Sequence, residues 1–234
     1  LAVNGHRLTV VASTVSYQTR QRVSQKRGPA GGDETLRILR AWTYAPRRDG
    51  FVTRLLGFFS FMVSSMANGL MVRKVDAVWG TSPPIFQAVT AYLLAKWKRV
   101  PFVLEVRDLW PDFAIHMEVL RNGTLIWLSR RLEQFLYRHA NTIVVNSPGF
   151  IPHLLSCGVP AHQINLVPNG VDTAMFSGAD GRVIRNEMDL IGKFVALYAG
   201  AHGMANDLGT VLEAAKRLCD HQEIVFALVG DGTQ

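Results

Sequence analysis

At 234 residues, 48% of them hydrophobic and 18% charged, the chain has the content of a globular protein with a sizeable core, longer than one usual domain and shorter than two full ones. Its net charge of +7 is unevenly placed: residues 1–139 hold 20 Lys+Arg against 9 Asp+Glu, and residues 140–234 hold 5 against 9. A basic first half implies an anionic partner, nucleic acid or a membrane surface. The arginines (Arg20, Arg22, Arg37, Arg40, Arg47, Arg48 among them) are scattered, with no zinc-finger spacing and no aromatic RNA-binding signature. Nucleic acid is therefore not expected, and a membrane or phosphate-bearing lipid is. Cys157 and Cys219 lie far apart without C-x-x-C spacing, as expected of core thiols in a reducing cytoplasm. The histidines form no H-x-x-x-H or H-E-x-x-H pattern, so no metal is expected.

The chain opens on Leu1-Ala2-Val3-Asn4-Gly5-His6, which has neither the charged nor the apolar region of a secretory leader. It reads as the last turn of a helix stopped by Gly5. At the other end a strand runs into the Gly-rich Val229-Gly230-Asp231-Gly232, so the chain is read as a fragment cut through structure at both ends.

Between the ends, strand-like runs (residues 7–12, 36–41, 75–79, 101–105, 142–146, 164–167, 193–199, 223–229) alternate with helical patterns (52–72, 84–97, 121–138, 149–156, 208–219). Val/Ile/Leu-rich strands without polar alternation predict an α/β fold with parallel sheets covered on both faces. Residues 13–34 read as a long mobile loop at a sheet edge. Residues 173–189, with little periodicity, read as a connection between a domain over 1–172 and another starting at 190. Residues 55–72 carry no charge, the lower limit of a membrane span. Gly57, Ser60, Ser64 and Asn68 make a small-polar stripe there, favouring a buried or membrane-lying helix.

The polar groups gather where strands end. Glu105-Val106-Arg107-Asp108-Leu109-Trp110-Pro111 follows an apolar strand, and the carboxyl edge of an open α/β sheet is where ligands bind. Arginine can clamp a phosphate, aspartate can orient a hydroxyl, and indole can stack on a sugar face. The bland alternative is an Arg107–Asp108 pair that braces the turn. Ser82, in Thr81-Ser82-Pro83-Pro84, is a candidate helix cap with Pro84 in the first turn, or a ligand group. Asn146 and Ser147 end another strand, and Ser147 suits a cap. In Asn169-Gly170-Val171-Asp172, Asn-Gly predicts a left-handed turn and Asp172 a local backbone bond. Gly200, His202 and Gly203 separate a strand from a helix, so their amides could approach an anion. The pattern is neither G-x-G-x-x-G nor a Walker loop, which argues against a dinucleotide enzyme and an NTPase.

In order, L-A-V-N-G-H-R-L-T-V-V at the start, then V-W-G-T-S-P-P, P-F-V-L-E-V-R-D-L-W-P, V-V-N-S-P-G-F, L-V-P-N-G-V-D, A-L-Y-A-G and A-L-V-G-D-G resemble the bacterial retaining glycosyltransferases of family 4, nearest the branch that moves amino- or deoxy-sugars in surface-polysaccharide assembly. The resemblance implies the GT-B fold: two Rossmann-like domains, the N-terminal one binding the acceptor and the C-terminal one a nucleotide-sugar, without a metal. It implies a UDP- or GDP-sugar donor and a lipid-linked acceptor at the inner face of the cytoplasmic membrane. Arg107 and Asp108 are then the catalytic candidates. Ser82, Glu105, Trp110, Asn146 and Ser147 are acceptor-binding candidates, and Asn169, Gly170, Gly200, His202, Gly203 and Asn206 donor-binding ones.

Three departures stand out. Arg107 lies where many relatives carry a histidine. Ala201 and Asn206 replace an arginine and a lysine that usually follow Y-x-G. The family's paired glutamates would lie beyond Gln234 and its first Gly-rich loop before Leu1, so this piece alone is expected to be inactive. A nucleotide-sugar epimerase and a non-catalytic membrane- or nucleic-acid-binding module remain alternatives.

Overall fold

The computed structural model describes residues 5–16, 22–23, 28–30, 33–45, 51–178, 180–203 and 206–232. The helix turn expected at residues 1–4, Arg20, Arg47 and Arg48 lie outside them. Gly5 has φ 82, the left-handed conformation that stops a helix. The chain forms two compact units, Leu1–Asn169 and Gly170–Gln234.

In the first unit, β1 (Leu8–Ser13) pairs in parallel with β3 (Asp33–Ala41), and β2 (Gly28–Ala30) pairs antiparallel to β3. A second sheet has the order β4 (Val78–Ser82), β5 (Phe102–Val106), β6 (Thr142–Val145), β7 (Ile164–Leu166), all parallel. Helices α1 (Phe51–Met71), α2 (Ile85–Lys98), α3 (Asp112–His116), α4 (Gly123–His139) and α5 (Ile151–Ser156) connect the strands. In the second unit, α6 (Arg182–Glu187) precedes the parallel pair β8 (Phe194–Ala199) and β9 (Ile224–Val229), which α7 (Leu208–Arg217) joins. This is the expected α/β architecture of GT-B type.

Alternation along β5 sends Phe102, Leu104 and Val106 to one face. There they meet Ile143 and Val145 of β6, Ala88, Ala91 and Ala95 of α2, Leu136 of α4 and Leu154 of α5. Each large side chain fully buried in this way contributes about 1.5–3 kcal/mol. Gly80 makes the closest approach possible, since a Cβ there would overlap that of Ala91 and push α2 off β4. Helix α2 stops at Arg99, φ 57, whose N–H reaches back to Ala95 and Lys96 before Pro101. Helix α4 starts where the Asn122 side chain accepts from the N–H groups of Thr124 and Leu125.

Several local expectations are overturned. Residues 13–34 are not all loop: a Val15–Arg22 bridge, β2 and the start of β3 fall within them. Helix α3 was not expected, and α6 lies inside the stretch read as an aperiodic connection. Cys219 is exposed rather than core, whereas Cys157 packs against the core. Helix α1 carries its polar stripe inward, and no described helix is long and apolar enough to cross a membrane.

Candidate active site

Strands β4, β5 and β6 end side by side. Ser82 is in register with Val106, Val106 with Val145, and the Arg107 N–H continues the ladder to the Ser82 carbonyl at 2.9 Å. Ser82, Arg107 and Asn146 therefore follow one another across a single edge, about 4.8 Å between strands. Ser82 is buried and does not cap α2, which begins at Ile85 without a side-chain cap. Pro84 precedes that helix rather than lying in its first turn. With Pro83 and Pro84 in between, the Ser82 hydroxyl is out of reach of the helix start.

Arg107 and Asp108 are both exposed, and among the described residues neither makes an ion pair or side-chain hydrogen bond, with the other or elsewhere. The turn-brace alternative loses its geometry. A guanidinium and a carboxylate at a strand edge with no internal partner are free to meet a ligand. Beside them, Asn146 Oδ1 is buried without a hydrogen-bond partner, and so is Thr14 Oγ1, just past the end of β1. A buried acceptor left unpaired costs about 1–3 kcal/mol, so such atoms mark places where a ligand or water completes the shell. Thr14 falls in the stretch expected to be loop; its signal, a polar side chain at the end of an apolar strand, is the same as that of Asn146.

Three other candidates have structural work. Glu105 turns away from the core, and its Oε2 accepts from Thr81 Oγ1 at 2.7 Å and Trp79 Nε1 at 3.2 Å, bracing β5 against β4. Trp110 is half-buried against the core, which leaves it one free face at most. Ser147 Oγ accepts from the Gly149 N–H at 3.3 Å, the local cap expected of it.

Behind the edge lies a polar cluster joining three helices. His153 of α5 places Nε2 3.4 Å from Glu133 Oε1 and Nδ1 3.8 Å from Asp112 Oδ2, and Arg130 Nη2 pairs with Asp112 Oδ1 at 3.1 Å. Burial raises the Glu133 pKa above the ordinary carboxylate value, against the pull of Tyr137 and His153. Burial first, then the Glu133 charge, raises the Cys157 thiol as well. Glu133 and Tyr137, one helical turn apart and each next to a leucine (Leu132, Leu136), are the readable sign of this cluster. Two shallow depressions of about 410 and 390 Å³ lie along α4 and the turn before it, and neither touches a strand end.

Asn169 and Gly170 are exposed, and neither has the left-handed φ expected of Asn-Gly. Asp172 does the local work instead, its Oδ1 accepting from the Ala174 N–H at 3.0 Å. In the second unit, the loop at 200–203 is held by Gly200 N–H to the Val229 carbonyl and His202 N–H to the Asp231 carbonyl, 2.9 Å each. Tyr198 Oη and Asn206 Nδ2 both donate to the Ala201 carbonyl at 2.7 Å. Asn206 thus shapes the loop. His202 Nε2 is buried without a partner, the one donor candidate here with unmet hydrogen-bonding capacity on its side chain.

Comparison with known proteins agrees with the α/β architecture. The chain is 28% identical over 249 residues to the putative colanic acid biosynthesis glycosyl transferase WcaI of Escherichia coli K12, covering 99% of this chain and 60% of WcaI. It thus spans well under two thirds of that relative. The sucrose-phosphate synthase of Thermosynechococcus elongatus superposes with a TM-score of 0.66 at 14% identity, over 97% of this chain and 53% of the synthase. Anabaena HepE, crystallised in complex with UDP, superposes at 0.52 and 14% identity over 82% of this chain and 62% of its own. Residues 1–170 match the family described as glycosyl transferase 4-like domain, and the chain belongs to that family.

Proposed function

We propose that the whole protein moves a sugar from a UDP- or GDP-linked donor to a lipid-linked saccharide, with retention of configuration, in cell-surface polysaccharide assembly. The unpaired Arg107 and Asp108 beside the unsatisfied Asn146 carry the reading. In it, Asp108 orients the acceptor hydroxyl and Arg107 offsets charge on the donor diphosphate or a lipid phosphate, as preorganised groups do. Ser82 and Asn146 hold the acceptor, with Trp110, Ser147 and Glu105 as its walls. Residues 1–172 form the acceptor side and 190–234 begin the donor side. In the loop at 200–203 the Gly200 and His202 amides are already bonded to the Val229 and Asp231 carbonyls, against the expectation that they face an anion, so the His202 side chain and the Gly203 amide are what the loop offers the diphosphate, with Asn169, Gly170 and Asn206 as further donor-side candidates.

The reading calls for no metal or other cofactor, and it places the protein at the inner face of the cytoplasmic membrane. The UDP bound by HepE and the colanic acid role given to WcaI support the donor class and the pathway class. Single-turnover transfer by the whole protein tests it. Arg107→Ala and Asp108→Asn should each slow transfer by roughly 10²-fold or more with unchanged melting, because both side chains are exposed. Normal transfer per folded molecule in both variants would overturn the assignment. Interconversion of a nucleotide-sugar without any acceptor would make the protein an epimerase.

A further inference from the structure

Helix α1 is packed with its polar side inward. Ser60 Oγ accepts from the Tyr44 N–H at 2.8 Å, Ser64 Oγ donates to the Trp42 carbonyl at 2.6 Å, and Asn68 Nδ2 donates to the Arg40 carbonyl at 3.3 Å. The small-polar stripe thus satisfies backbone groups at and beyond the end of β3. The buried residues of α1, Gly57, Ser65, Asn68 and Gly69, mark its core side. Leu56, Phe59, Val63 and Leu70, spaced three, four and seven apart, share one face by helical geometry, and all four are exposed. That stripe is about 21 Å long at 1.5 Å per residue.

Helix α2 runs beside α1 in the same direction. Phe58 and Phe59, partway along α1, meet Phe86 at the start of α2, and Lys98 Nζ at the end of α2 donates to the Val72 carbonyl, just past the end of α1, at 2.6 Å. It turns out Leu93 and, one turn later, Trp97, which is 74% exposed. Around the shared end stand the exposed Arg73, Lys74, Lys96 and Arg99, and residues 55–100 contain a single acidic residue, Asp76.

We propose that the outward stripe of α1, together with Leu93 and Trp97 of α2, is the face on which the protein lies on an anionic lipid bilayer. The proposal rests on the membrane-proximal part of the function above and specifies the surface that provides it. Charge complementarity selects this occupant. A rim of four exposed cations, Arg73, Lys74, Lys96 and Arg99, against the single acidic Asp76 suits anionic headgroups, an aliphatic stripe lying flat suits the headgroup–acyl boundary, and an indole at its margin suits the interface. A spanning role is not needed, because the inward stripe is already committed to hydrogen bonds.

The test is co-sedimentation of the purified chain with vesicles of phosphatidylglycerol and phosphatidylethanolamine, compared with phosphatidylcholine alone. Binding should be at least tenfold stronger to the anionic vesicles, and Arg73→Ser with Lys74→Ser should weaken it by about tenfold or more. Val63→Glu and Trp97→Glu, both at exposed positions, should each weaken it by about tenfold or more while leaving the far-UV spectrum and melting unchanged. Brominated acyl chains should quench tryptophan emission, and Trp97→Phe should remove most of that quenching.

Equal binding by the stripe variants would overturn the proposal. So would absent binding, or a solution dimer broken by Val63→Glu with no lipid affinity, which would assign the face to a second copy. Transfer to a soluble acceptor analogue by the whole protein, measured on the same variants, separates the two readings. Lipid binding without transfer would sink the function, and transfer without lipid binding would sink only the docking face.

Discussion

Tyr137 donates its hydroxyl to the Glu133 carboxylate one turn earlier on α4, at 2.8 Å, and both side chains are buried. Burial, then the neighbouring carboxylate, pushes the Tyr137 pKa far up, so the phenol stays a donor at any working pH. With His153 and Asp112 the pair ties α4, α5 and α3 together, and α3 begins four residues after Asp108.

Tyr137→Phe removes that donor and leaves Glu133 with one long contact, to His153. The loss should be about 1.5–3 kcal/mol, the range for a hydrogen bond to a buried charged group. Denaturant unfolding at neutral pH measures it, and a loss under about 0.5 kcal/mol would mean that the bond is inconsequential.

Glu133 gives a pH signature. Its folded-state pKa is raised above the ordinary 4.5 by burial, so the fold favours the neutral acid. That contribution is fully present below the unfolded pKa and is lost as pH rises through the folded one. Glu133→Gln stays neutral and keeps an oxygen for Tyr137, so it should gain on the native protein as pH rises from about 4 to about 7. Melting curves at both pH values give the answer, and a gap that narrows with rising pH contradicts it.

Gly230→Ala should open the second unit. A Cβ there would overlap the Gly200 carbonyl oxygen, where β9 passes the loop after β8. Overpacking costs about 1–3 kcal/mol, and little core is present to absorb it. Gly209→Ala, early in α7 with only an ordinary contact to Asp207, is the control and should be neutral or stabilising. Limited proteolysis of residues 190–232 compares the two.

Amide exchange should be faster in β8 and β9 than in β5 and β6. Among the described residues of the second unit, Leu190 and Leu208 are the buried apolar ones, and Phe194, Leu197, Leu212 and Val229 are exposed. The first unit buries Phe102, Leu104, Ile143 and Val145. Opening free energy follows buried apolar contact, so a difference of about tenfold or more is expected. Equal protection in both units would show support for β8 and β9 from elsewhere.

Much of the site was legible because its signals are local. Arg107 and Asp108 follow an apolar strand in sequence, and Ser147 and Asp172 reach amides two residues away. The misses came where neighbours distant in sequence decide. Nothing near Glu105 says that Trp79 and Thr81 of the neighbouring strand occupy its carboxylate, and nothing near Gly230 says that a carbonyl 30 residues earlier fills the space of a side chain.

The sequence by itself determined the alternation of strands and helices, and with it the edge at which Ser82, Arg107 and Asn146 line up, because apolar runs and turn residues act over a few positions. Only the tertiary structure decided which side of α1 faces in. Its polar and apolar stripes were both readable, but the choice between them rests on residues distant in sequence: the backbone of Arg40, Trp42 and Tyr44, which the polar stripe meets, and Leu94 of α2. Small side chains on that side let α1 lie close against its neighbours: an added Cβ at Gly57 would press on the Tyr44 carbonyl and one at Gly69 would overlap Leu94 of α2, leaving no room there for side chains the size of Leu56 or Val63.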